Sequence, residues 1–114
     1  KMKIILSKQF ITDFENDFKK YSINHKDLIL KLKETKIINL KNPYVKIKTY
    51  VNWISIRWIW ILNEEKTLVP LFFVLKKDKR YWENLILNKE ILDRINNLFL
   101  KYSSDFEKWD YKIF

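Results

Sequence analysis

Glycine and cysteine are both absent from this 114-residue chain, proline occurs twice and histidine once. Without glycine there is neither a P-loop nor a dinucleotide-binding fingerprint, because both need residues that let the backbone close on phosphate. Turns fall to Asn, Asp and Pro, which enter tight conformations less readily. Without cysteine there are no disulfides, no thiolate nucleophile and no Cys-based zinc site, which fits a reducing compartment. Long apolar runs are missing too. None approaches the ~18 residues of a membrane span, and none at the start reads as a secretory signal. Lys1 precedes Met2, so the start reads as a trimmed or added end.

What remains is a basic, aromatic-rich chain of single-domain length. With nearly half its residues apolar it should fold rather than stay disordered. A formal net charge of +9 points to polyanionic partners such as nucleic acid, an acidic protein or a membrane surface. The bland alternative is a solubilising surface, and charge alone does not separate the two.

Residues 3–7, KIILS, read as a buried strand. Phe10, Ile11, Phe14, Phe18 and Tyr21 then recur at helical spacing, with Thr12 and Glu15 as a candidate capping box. Asn24 and Asp27 signal a second start. Leu28, Ile29 and Leu32 continue that helix to about Thr35. NLKNP, 39–43, is a loop closed by Pro43. Strands follow at about 44–51, 53–62 and 67–77, with NEEK turning between the last two, and a helical pattern returns from Asn88 to Tyr102. The expected order is β-α-α-β-β-β-α, an α+β domain with an antiparallel sheet.

Alternation fixes the faces. An even-numbered turn near Asn52 puts Lys46, Lys48 and Arg57 on one side of a hairpin. Val45, Ile47, Ile54, Ile56, Trp58 and Trp60 take the other. The simplest register through NEEK adds Val69, Leu71, Phe73 and Leu75 to this apolar side, which should receive the two N-terminal helices. The cationic side crowds like charges, a destabilising arrangement. Burial of the apolar side, ~1.5–3 kcal/mol for each large side chain, outweighs it.

Clustered cations on paired strands form a preorganised phosphodiester site. Arginine offers a planar fork to phosphate oxygens. A lysine beside other cations is pushed toward its neutral form and can act as a base. RNA cleavage needs removal of the 2′-hydroxyl proton, stabilisation of charge on the phosphate and protonation of the leaving oxygen. None of these requires a metal or another cofactor, and the sequence implies neither.

In their joint order, KIILSKQF, the K-x-K pair Lys46 and Lys48, Arg57 on the next strand, Lys77 ending the one after and VLKKDKRYW resemble the RelE/ParE superfamily of type II toxins. The closest likeness is to its RelE-like branch of ribosome-dependent mRNA endonucleases. The likeness runs from KIILSKQF through Tyr81, and the interval from Arg57 to Lys77 matches that branch. The resemblance implies a cytoplasmic toxin that inhibits translation by metal-independent cleavage of mRNA on the ribosome, held in check by a cognate antitoxin. It implies that Lys46 and Lys48 bind and activate the nucleophile, and that Arg57 clamps the phosphate. Lys77 would stabilise charge or aid the leaving group, and Tyr81 would orient or stack on the mRNA. Lys76, Lys79, Arg80 and Trp82 would contact RNA, with Trp82 or Arg80 as substitutes for Tyr81. Lys77 stands where the family commonly has arginine. The simplest register puts Lys76 on Arg57's face, and a bulge at Pro70 would bring Lys77 there instead.

Blander readings accompany each residue. Lys46 and Lys48 also suit the solvated face of an edge strand. Arg57 would suit an ion pair with Asp105 or Glu107. Trp53, Trp58 and Trp60 read as core and sheet surface rather than as a stacking platform. His25 reads as structural or exposed. Two other functions fit the same residues: a ParE-like, non-nuclease gyrase inhibitor, and a basic nucleic-acid-binding domain without catalysis.

Overall fold

The computed structural model describes residues 3–32, 35–83 and 85–114. The reading of Lys1 and Met2 and the expected last turn of the second helix lie outside the described residues.

The first strand, β1 (Lys3–Ser7), hands over directly to helix α1 (Lys8–Phe18). Ser7 Oγ caps that helix by accepting from Phe10 N at 2.9 Å. The expected box at Thr12 is absent because the helix already runs through it. The Thr12 hydroxyl donates back to the Lys8 carbonyl. A short 3₁₀ turn, Lys19–Tyr21, leads to α2 (His25–Leu32). Here the reciprocal box is present: Asn24 N donates to Asp27 Oδ2 and Asp27 N to Asn24 Oδ1, at 3.1 and 3.0 Å.

Three long strands follow a short one: β2 (Ile37–Asn39), β3 (Tyr44–Val51), β4 (Ile54–Leu62) and β5 (Thr67–Leu75). One helical turn, α3 (Lys79–Trp82), then folds back. The long helix α4 (Lys89–Glu107) runs beyond its expected end at Tyr102, and β6 (Tyr111–Ile113) finishes the chain. No helix among the described residues is long and apolar enough to cross a membrane.

The sheet has the order β2-β3-β4-β5-β1-β6. It is mixed, which corrects the antiparallel expectation: β1 lies parallel to β5, pairing Lys3 with Thr67 and Ile4 with Leu68. No hairpin joins these two strands, so no local turn dictates their direction. β2 and β6, three residues each, are too short to carry a period of their own and form by pairing with β3 and β1.

The two N-terminal helices cover the face bearing Trp58, as its residues predict, while α3 packs on the opposite face, Tyr81 against Phe72. Trp58 is fully buried, with ring centroids 5.9 Å from Phe14, 5.3 Å from Phe73 and 5.5 Å from Trp60. Its indole N–H donates to Thr49 Oγ1 at 2.9 Å, which satisfies the one polar atom this ring buries. Leu71 bulges out of β5 between the pairs Trp60–Pro70 and Ile59–Phe72. The ladder breaks beside Pro70, which has no N–H to contribute. Val69 therefore faces the other way from expectation, opposite Ile61. The β4–β5 loop also shifts register by one, pairing Leu62 with Leu68, and the two shifts add to two residues, which restores the original facing beyond the bulge. Arg57 lies opposite Val74, so its row runs toward Lys76 rather than Lys77.

A candidate phosphate-binding cavity and its surroundings

β3 and β4 join through a two-residue turn at Asn52 and Trp53, both at positive φ (47° and 70°). That turn places Lys48 directly opposite Arg57 and Lys46 opposite Ile59, all on one face. On the other flank of β3, Ile38 of β2 pairs with Lys46. The result is a cavity of about 290 Å³ lined by Thr35, Lys36, Ile38, Lys46, Ile47, Lys48 and Arg57. Among the described residues none of its lining is acidic, and none of its cations sits in an ion pair. Lys36 is the member that the sequence did not suggest. It adjoins β2, whose three residues are too few for alternation to reveal a face.

Arg57 is held by Trp82 rather than by an acid. Its Nη1 donates to the Trp82 carbonyl, and its guanidinium carbon lies 4.3 Å from the centre of the Trp82 ring. The expected alternative, a pair with Asp105 or Glu107, does not form. The Asp105 carboxylate instead accepts from Gln9 N across the α1–α4 contact. A ring face attracts the cation while leaving its positive charge uncancelled.

The remaining sequence candidates divide. Tyr81 is buried, its ring edge-on to Phe72 at 6.2 Å, and its hydroxyl donates to Glu90. That carboxylate, together with burial, holds the phenol above its ordinary value. Arg80 pairs with the same carboxylate at 2.8 Å. Arg80 and Arg94 flank the Tyr81 ring at 5.2 and 5.0 Å. Tyr81 thus pins α3 against β5 and α4. Lys79 is exposed at the start of α3. Lys76 and Lys77, in the turn after β5, do not line the cavity of Arg57. They line a separate concavity of about 410 Å³ with Tyr21, Tyr50, Trp53, Ile54, Ser55 and Leu75.

No family model, curated protein or solved structure matches the chain.

Away from the cavity, His25 is buried, and its Nδ1 donates to Glu15 Oε2 at 2.7 Å while its backbone N–H donates to the same oxygen at 3.1 Å. This pair ties α2 to α1, the structural role read for the only histidine. Among the described residues no group of three or more metal-ligating side chains converges.

Proposed function

We propose that this protein is an endoribonuclease toxin of a type II toxin–antitoxin pair, similar to the RelE-like enzymes, that cleaves mRNA on the ribosome. The observation that carries the reading is the meeting of Lys46, Lys48 and Arg57 in one cavity whose described lining bears no acid. Paired strands hold the backbone of all three, so little reorganisation is needed when charge develops on a bound phosphate.

In the proposed reaction a ribose 2′-oxygen attacks the adjacent phosphorus and the 5′-oxygen of the next nucleotide leaves, producing a 2′,3′-cyclic phosphate. One of Lys46 and Lys48, in its neutral form, accepts the 2′-hydroxyl proton. Arg57 and the neighbouring ammonium groups hold the non-bridging oxygens. A second ammonium in the cavity returns a proton to the leaving oxygen. Lys77 and Tyr81 have no part in this step, because one lines the neighbouring concavity and the other is committed to Glu90. An acidic or amphipathic antitoxin segment laid over the cationic face would block it, and a ribosomal substrate places the activity in the cytoplasm.

The test is brief expression in bacteria with mapping of mRNA ends, beside the Lys46→Ala/Lys48→Ala/Arg57→Ala variant. Codon-phased cuts that vanish in the variant support the reading. Loss of a single transition-state donor should slow cleavage by ~10²–10³-fold. The alternative is a basic nucleic-acid-binding domain that does not cut. Arg57's engagement with the Trp82 carbonyl favours it, since that bond occupies part of the fork a phosphate would use. RNA binding without cuts would select that alternative. A DNA-damage response without cuts would select a gyrase inhibitor.

A further inference from the structure

Trp53 stands at the second position of a two-residue hairpin turn whose residues both have positive φ, where glycine is the usual occupant. A bulky side chain is unfavourable in that conformation. Burial does not offset the cost, since Trp53 is 85% exposed. Tyr50, 52% exposed, meets its ring edge-on at 6.2 Å. Trp58 and Trp60, by contrast, are wholly buried. The expectation that all three tryptophans serve core and sheet surface thus holds for two, and Trp53 requires another explanation.

Its position supplies one. Tyr50 and Ser55 form the next same-face pair along the ladder after Lys48 and Arg57. Two residues along a strand advance about 7 Å. The concavity at the hairpin tip therefore adjoins the cationic face through Tyr50 and Ser55 and wraps the strand ends through Ile54 and Leu75, and none of its described lining residues is acidic. Asn52 Nδ2 donates to the Ser22 carbonyl at 3.3 Å, which anchors the turn to the helical side of the molecule.

We propose that Tyr50 and Trp53 form a nucleobase-stacking subsite for single-stranded RNA. The base stacks on the exposed indole, Lys76 and Lys77 hold the flanking backbone, and the neighbouring phosphate lies in the Lys46–Lys48–Arg57 cavity. The proposal extends the nuclease reading but needs only that RNA binds this face. Exposed aromatics within a basic groove accept any base, because every base has a π-face. A membrane surface is the competing occupant of an aromatic and lysine patch. The Lys48–Arg57 pair one ladder step from Tyr50, and Lys76 and Lys77 beside the indole, put cations on both sides of the platform and favour a linear polyanion.

The experiment is fluorescence anisotropy with an end-labelled oligouridylate, using the full chain, Trp53→Ala, Tyr50→Ala, Lys46→Ala/Lys48→Ala and, as a control for a remote exposed indole, Trp109→Ala. Trp53→Ala should weaken binding roughly 5- to 150-fold with an unchanged salt dependence, since stacking releases no counterions. The double-lysine variant should weaken binding and flatten the salt dependence, and Trp109→Ala should do neither. If Trp53→Ala and Tyr50→Ala bind like the parent while the double-lysine variant does not, the platform is overturned and the phosphate cavity stands. If the parent binds no RNA, both fall. Trp53-dependent capture of anionic lipid vesicles, with RNA binding unaffected by Trp53→Ala, would also overturn the platform. Stacking that persists in a chain that never cuts upholds the platform and removes only the nuclease.

Discussion

Lys48 and Arg57 face each other across β3 and β4, so two like charges occupy one pair of positions in the ladder. Such an arrangement weakens a sheet, and a phosphate bound between the two would supply the missing negative charge. The indole of Trp82 beneath Arg57 steadies the guanidinium without neutralising it.

Replacing Lys48 with threonine, a good strand former, should therefore raise the free energy of unfolding in urea by about 0.2–1 kcal/mol of relieved repulsion. The same variant should bind RNA more weakly, with its salt slope reduced by about 0.7 if one phosphate contact is lost. A stability that falls, or a slope that does not change, would show that this pair is not a shared phosphate site.

Trp82 acts as a positioning residue for Arg57. Trp82→Ala removes a cation–π contact of about 0.5–2 kcal/mol and leaves the charge of Arg57 in place. Cleavage and RNA affinity should both decline, and Trp82→Phe, which keeps a ring face, should restore most of each. Equal losses in the two variants would point to a merely structural ring. Reporter-mRNA cleavage beside thermal melting separates these outcomes.

Acid should weaken the tie between α2 and α1. The hydrogen bond from His25 lowers the Glu15 pKa below its ordinary 4.5, against the opposing effect of burial. A depressed carboxylate value means that the folded state prefers the ionised form. The resulting stability is fully present above the ordinary value and is lost as pH falls through the depressed one. The urea midpoint of the parent should exceed that of Glu15→Gln at neutral pH, and the gap should close in acid. A gap independent of pH would assign the effect to packing.

The tryptophans should separate cleanly by stability. Trp58→Ala empties the site packed by Phe14, Phe73 and Trp60, so it should cost about 3–5 kcal/mol. Trp53→Ala, at an exposed turn, should stay within about 0.5 kcal/mol of the parent. Denaturant unfolding of both variants checks this, and a large loss from Trp53→Ala would give that residue a structural purpose.

Local sequence pattern determined much of this protein: the six longest stretches of helix and strand, the Asn24–Asp27 box, the apolar face around Trp58 and the shared face of Lys46, Lys48 and Arg57. Each depends on neighbours within a few residues or on one short turn, so the physics is local. Tertiary structure decided what depends on distant partners. β1 runs parallel to β5 because no hairpin constrains it, and β2 and β6 exist only by pairing with other strands. Two one-residue shifts, at the β4–β5 loop and beside Pro70, together kept Lys77 from Arg57's row, while the return of α3 buried Tyr81 and laid Trp82 against Arg57. Lys36 entered the cavity through a strand too short to announce itself. Alternation along a chain records which way a side chain points, whereas the company it keeps is set by segments that approach only after folding.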